Sequence, residues 1–190
     1  MYELVAKDFL NEDDVVVANL DATAENSKAT AQEFGVKSYP TIKFFPKGSK
    51  VPVDYESGRS EADFVNYLNE KTGTQRAVGG GLNAVAGTIE VLDTLVSKFT
   101  GGSSIAEVAA EATKAAADLK EGAQYKYAEY YVKVFSKLTA NDGYAAKELA
   151  RLDKILQKGG LAPAKLDEFT RKTNILRKFL DKVTPGKSEL

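Results

Sequence analysis

Thiols and imidazoles carry much of the reactive side-chain chemistry near neutral pH, and this 190-residue sequence contains neither cysteine nor histidine. Their absence removes thiol-disulfide exchange, thiolate or imidazole metal ligation, and every Ser-His or Cys-His nucleophile arrangement. Carboxylates remain. The run Glu12-Asp13-Asp14 and the pair Glu107 and Glu111 read as solvated charges at a helix end and on a helix face, so no catalytic residue, metal site or cofactor is assigned. Two aromatic stretches point to recognition instead. In Phe34 to Gly48, FGVKSYPTIKFFPKG, the Tyr39-Pro40 bond sits in a turn directly before a run of β-branched and aromatic residues. It is the best candidate for a cis peptide bond, because proline cannot donate within a sheet and must stand at a strand's first residue or beside it. In the helix that carries the aromatic segment Gln124 to Phe135, Tyr127, Tyr131, Val134 and Leu138 share one face and read as core. Tyr125 and Tyr130 fall off that stripe, where their rings would offer extended polypeptide a contact area at small entropic cost.

The elements that must position these residues follow from periodicity. Tyr2 to Leu10 has a helical face in Leu4, Val5 and Phe9 but no cap signal before it. Val15 to Leu20 reads as a strand, a helix ends at Phe34 before Gly35, and Thr41 to Phe45 reads as a buried strand closed by Pro46-Lys47-Gly48. Ser60, with Asp63 three residues on, caps a helix whose buried stripe is Phe64, Val65 and Leu68. Within the linker 74–82, Gln75 to Gly81 ends in Gly79-Gly80-Gly81, a composition that favours a flexible joint, and the glycines lack the Lys-Ser/Thr and upstream strand of a phosphate loop.

Beyond the glycines the period is helical throughout, with Gly, Pro or Asn-Asp at each break. Five helices are expected: Asn83 to Phe99 with Val85, Ile89, Leu92 and Val96 inside; Ser104, a cap with Glu107 at its third position, to about Leu119; Gly122 to Thr139; Tyr144 to Lys158; and Pro163 to Val183. The fold class is therefore α+β in two domains: residues 1–73 mixed, 74–82 linker, 83–184 an all-α five-helix domain, 185–190 a tail. A formal charge of −1 argues against nucleic acid, and no apolar run approaches the roughly 20 residues that span a bilayer.

Gly35-Val36-x-x-Tyr39-Pro40-Thr41-x-x-x-Phe45, with Val15 to Thr23 before it and Tyr55-Glu56-Ser57-Gly58-Arg59 after it, resembles the second half of a thioredoxin-fold domain of the protein disulfide isomerase family. The resemblance implies a partial thioredoxin-like α/β domain and makes Tyr39, Pro40 and Thr41 part of a loop that touches substrate chains. Arg59 matches the family's redox-modulating loop arginine, although without cysteines a solvated turn residue is the expected outcome. Asn19 stands where many isomerase domains keep a lysine. The family's Cys-x-x-Cys and central strand align ahead of Met1, so an N-terminally truncated domain that folds poorly alone, or pairs differently from its parent, is expected.

Leu82 to about Leu180 is similar to the all-helical C-terminal domain of a redox-inactive endoplasmic-reticulum chaperone, also appended to some protein disulfide isomerases. The carriers are Tyr130-Tyr131-x-Lys133-Val134, Gly143-Tyr144-x-x-x-Glu148-x-x-Arg151-Leu152, Leu156-x-x-Gly159-Gly160-Leu161 and the segment Lys165 to Leu176 that includes Asn174. That domain is implicated in client and partner binding. Lys187-Ser188-Glu189-Leu190 looks like a degenerate retrieval signal, so an endoplasmic reticulum lumen destination is expected, although Met1-Tyr2-Glu3 begins no secretory signal. Two functions are open: the C-terminal portion of a protein disulfide isomerase, redox-inactive by itself, or a natural non-catalytic chaperone or adaptor. The partners are unfolded or partly folded polypeptides, with self-association as a further option.

Overall fold

The computed structural model describes residues 1–120, 122 and 124–181. It divides into two compact units, Met1–Asn83 and Ala84–Leu190. In the first, α1 (Tyr2–Asp8) packs on α3 (Glu61–Thr72), and Val5, Phe9 and Val65 form the buried centre with Val15, Val17, Phe64 and Leu68 around them. Between these helices lie a 3-10 turn (Glu25–Ser27), α2 (Lys28–Glu33), β1 (Lys43–Phe44) and β2 (Val53–Asp54). The strands pair antiparallel, Lys43 opposite Asp54 and Phe44 opposite Val53. Tyr67 meets the Phe44 ring edge-on at 5.7 Å and the Tyr55 ring at 4.8 Å, so aromatic contacts tie this ribbon to α3. The expected capping box forms: the Asp63 amide donates to the Ser60 hydroxyl at 3.2 Å and the Ser60 amide to the Asp63 carboxylate at 2.9 Å.

The sheet is smaller than the sequence pattern suggests. Val15 to Leu20 runs without a ladder partner among the described residues, and of Thr41 to Phe45 only Lys43 and Phe44 pair. Their partner β2 is a strand the sequence reading missed. Alternation nevertheless survives in the unpaired run, since Val15 and Val17 turn onto the α1–α3 core while Val16 is 86% exposed. Side-chain direction follows from extended backbone alone; a ladder needs a second chain segment at the right distance.

The expected flexible joint is instead built into the first unit. Arg76, 1% exposed, donates from Nε to the Glu12 carboxylate at 2.6 Å and from Nη1 to the Gly80 carbonyl at 3.3 Å. The Asn69 side chain receives the Arg76 amide at 2.9 Å and donates to the Arg76 carbonyl at 2.7 Å, while Arg76 and Leu82 form an antiparallel bridge. Burying a guanidinium is tolerable only when charge and hydrogen-bond partners accompany it, and this requirement folds the glycine turn inward. Glu12 is correspondingly a structural ion-pair partner rather than a merely solvated charge.

The second unit holds five helices, as expected: α4 (Glu90–Thr100), α5 (Ile105–Ala117), α6 (Tyr125–Ala140), α7 (Tyr144–Lys158) and α8 (Pro163–Leu180). Helix α4 packs on α5 and α8, α5 on α6, and α7 on α8, around Leu92, Val108, Val134, Phe135, Leu152 and Leu176. Ser104 precedes α5 without a side-chain cap bond. The proposed extension of the last helix to Val183 and the tail 185–190 lie outside the described residues.

Helix α4 starts seven residues later than its pattern implies. Gly87 adopts φ +83° against α8, where a Cβ would fall 2.6 Å from the Arg171 Cβ, and Val85, expected inside, is 52% exposed. Three side-chain contacts hold the resulting loop. Asn174 Nδ2 donates to the Ala86 carbonyl at 3.1 Å, the Ile89 amide donates to the Tyr131 hydroxyl at 3.3 Å, and that hydroxyl donates to the Asp93 carboxylate. Gly87→Ala is therefore expected to destabilise the helical unit by more than the about 1–3 kcal/mol that left-handed strain alone costs. Gly102→Ala, at φ +104° with open space around it, supplies the strain-only comparison in thermal melts; equal losses would mean that the Arg171 contact yields freely.

Asp8 gives a pH-dependent prediction for the first unit. It is 2% exposed and its Oδ2 has no hydrogen-bond partner among the described residues. Burial first, then the neighbouring Glu61 carboxylate, raises its pKa above the ordinary 3.8 despite the opposing Gly79 and Gly80 amides. With the folded pKa above the unfolded one, this residue's favourable contribution is present in acid and lost as pH rises through the folded value. Asp8→Asn is expected to raise the melting temperature of the full chain at neutral pH, with the gain vanishing below the unfolded carboxylate range. A variant no more stable at neutral pH than in acid, relative to the parent, would contradict this.

Candidate functional site

The Tyr39-Pro40 peptide bond is cis, as the sequence suggested. Tyr39 is 65% exposed, Pro40 and Thr41 are exposed beside it, and the Thr41 hydroxyl donates to the Ser38 carbonyl at 2.6 Å to close the turn. Phe34 and Phe45, which flank the loop in sequence, meet edge to face at 5.3 Å. An aromatic ring with a free face beside a proline and a short β-ribbon offers apolar contact to an extended chain. Arg59 is exposed in the turn before α3, and Asn19 is exposed in the unpaired run.

On α6 the two off-stripe tyrosines part company. Tyr125 is half-buried, and the Glu129 carboxylate one turn on pushes its hydroxyl pKa up. Tyr130, expected on the surface, is 7% exposed and belongs to the core, a correction to the single-stripe reading. The reason is enclosure: α5, α7 and α8 all pack against α6, so the buried arc is wider than one stripe. Tyr131, Val134 and Leu138 are buried as expected, while Tyr127 is only half-buried with the Arg171 guanidinium 5.7 Å from its ring centre.

Around Tyr130 the structure gathers charges that sequence reading did not connect. Its hydroxyl is buried with no hydrogen-bond partner among the described residues, and desolvation followed by the Glu148 charge pushes its pKa up. The Lys172 ammonium lies 5.4 Å from the Tyr130 ring centre and 6.0 Å from that of Phe169, over which Lys165 also sits at 4.9 Å. Both lysines hold Glu168, at 2.5 and 2.9 Å, and their hydrogen bonds bring its pKa down to about 2. Arg151 grips Glu148 through two bonds of 2.8 Å, which lowers the Glu148 pKa with help from Lys133 and Lys172. The signal was present in the sequence: Lys126-x-x-x-Tyr130-x-x-Lys133 on α6 and Lys165-x-x-x-Phe169-x-x-Lys172 on α8 have the same spacing.

Comparison with known proteins supplies the relationship. Residues 87–179 match the family described as Endoplasmic reticulum protein ERp29, C-terminal domain, and residues 1–70 match Thioredoxin. Over 188 residues the chain is 55% identical to protein disulfide-isomerase erp38 of Neurospora crassa, covering 99% of this chain and 51% of the relative. It is 56% identical over 189 residues to protein disulfide-isomerase tigA of Aspergillus niger, covering 100% and 50%, and 42% identical over 182 residues to a probable protein disulfide-isomerase A6 of Medicago sativa, covering 94% and 49%. The chain thus spans about half the length of the curated relatives it matches. With a thioredoxin-family segment over residues 1–70 and an ERp29-type helical domain over residues 87–179, it belongs to the protein disulfide isomerase family.

Proposed function

We propose that this chain is a polypeptide-binding, disulfide-inert portion of a protein disulfide isomerase acting in protein folding in the endoplasmic reticulum lumen. The observation that carries the reading is the coexistence of an exposed Tyr39 on a cis-proline loop with a sequence that has no sulfur nucleophile at all. Thiol-disulfide exchange proceeds through attack by a thiolate and a mixed disulfide, and no residue here can form either. Recognition can persist without that chemistry, because ring burial against a client chain needs only an available face and a fixed backbone. Tyr39 and Thr41 on the loop, with Pro40 fixing its path, supply one such surface, and Tyr125 at the start of α6 supplies another. Tyr130 serves differently, from within the helical core. The match to an endoplasmic reticulum protein's C-terminal domain and the protein disulfide isomerase relatives support the location.

Binding of a reduced, unfolded client to the full chain, followed by fluorescence anisotropy, is expected to weaken several-fold in Tyr39→Ala and in Tyr125→Ala, with helicity unchanged; truncating the exposed Tyr39 or the half-buried Tyr125 should each cost about 1–2 kcal/mol. Unchanged affinity in both variants would remove these surfaces from client binding. In a disulfide-reduction assay with insulin the chain should remain at the blank rate, and turnover above it would overturn the inert reading.

A further inference from the structure

The cluster around Tyr130 has a property that client binding in general does not require. Lys126 and Lys133 on α6, Arg151 on α7, and Lys165 and Lys172 on α8 stand against two carboxylates, Glu148 and Glu168, in a protein whose formal charge is −1. Glu129, beside Tyr125, is the next acid along α6. Lys165 and Lys172 share the single Glu168 carboxylate, and Arg151 takes both oxygens of Glu148. Lys126 and Lys133 are exposed and form no ion pair among the described residues. The local excess is therefore positive, and it is interleaved with the Tyr130 and Phe169 rings. In its midst the Tyr130 hydroxyl is a donor, more than nine-tenths buried, with no acceptor among the described residues. A buried hydroxyl without a partner forfeits a hydrogen bond that an incoming acceptor would restore.

From this placement we infer that the α6–α7–α8 face is a docking site for acidic polypeptide segments, extended chains bearing two or more Asp or Glu side chains. The inference rests on the polypeptide-binding reading above and names the class of segment selected. Lys126 and Lys133, seven residues apart on α6, are separated by about 10.5 Å along the helix axis at 1.5 Å per residue. An extended chain covers that span in about three residues at roughly 3.3 Å each, and because its side chains alternate between faces, carboxylates four residues apart share a face and meet both lysines within the reach of their flexible stems. These lysines steer the segment in. Lys172 then turns from Glu168 toward the incoming carboxylate and frees the Tyr130 ring face it lies over, and the hydroxyl, on the side of Glu148 and Arg151, donates to the same group. Aliphatic stems of the lysines and the Phe169 ring flank the peptide backbone, which favours a polypeptide over a small free anion.

The test uses the full chain and three labelled peptides of one length on a Gly-Ser scaffold, carrying Glu, Gln or Lys at two positions four residues apart. Anisotropy should rank Glu above Gln above Lys, and raising salt from about 0.05 M to 0.3 M should erase the ranking. Lys126→Glu/Lys133→Glu, whose positions are exposed, should abolish the preference and weaken the Glu peptide about fivefold to tenfold. Tyr130→Phe, which keeps the ring, should weaken only the Glu peptide, with circular dichroism and melting unchanged. If all three peptides bind equally, or none binds while an unfolded client does, acidic selection is wrong and the polypeptide-binding reading stands. If neither peptide nor client binds, both fall. Unchanged Glu-peptide affinity in the double lysine variant overturns the site directly.

Discussion

A helix closes its backbone hydrogen bonds within itself, whereas a strand depends on a neighbour, and this difference decides how the two units of the chain are built. In the helical unit five self-sufficient segments need only find one another's apolar faces, and they do so around a continuous core that runs from Ile89 to Phe179. In the first unit the extended segment Val15 to Leu20 has no ladder partner among the described residues, and the sheet is reduced to two residues per strand. Apolar side chains of that segment still reach the α1–α3 core through Val15 and Val17. Side-chain burial and backbone pairing are thus separable, and only the second has been lost.

Polar contacts between distant residues supply the order that a full sheet would otherwise impose. Arg76 illustrates the principle in the first unit, because its pairing with Glu12 spans 64 residues and draws the glycine turn onto α1 and α3. A buried ion pair of this kind adds little net stability, since desolvation of both groups offsets most of the attraction. Its contribution is specificity: any other arrangement would leave a guanidinium buried without a partner. Tyr131 performs the corresponding task in the helical unit. One hydroxyl accepts from the Ile89 amide and donates to Asp93, which joins the entry of α4 to the middle of α6 through a ring that is itself buried core.

These long-range contacts also explain what could be read from the sequence and what could not. The number of helices, the exact span of α7, the Ser60 capping box and the cis bond before Pro40 all depend on neighbours within a few residues, and local pattern suffices for them. The start of α4 depends on Gly87 meeting Arg171, 84 positions away, and helical spacing of Val85, Ile89 and Leu92 carries no trace of that meeting. Tyr130 was placed outside the core because one stripe was counted, while three helices enclose α6. The equal spacing of lysines and aromatics on α6 and α8 was visible throughout. Its meaning depended on α8 lying against α6, a fact of tertiary packing.

Sulfur chemistry and chain recognition place opposite demands on a surface. A reactive thiolate needs an electropositive, partly exposed setting tuned to lower its pKa, and it fixes the geometry around itself. Recognition of varied unfolded chains needs contacts that are individually weak and readily exchanged, since a folding factor that holds its client tightly would arrest it. Exposed aromatic rings beside a proline loop meet that need in the first unit, and lysines on mobile stems around a buried donor meet it in the second. Charge steering accelerates encounter more than it prolongs the complex. A surface of this composition therefore samples acidic segments quickly and lets them go, a property that requires no nucleophile and is compatible with the absence of cysteine from the whole sequence.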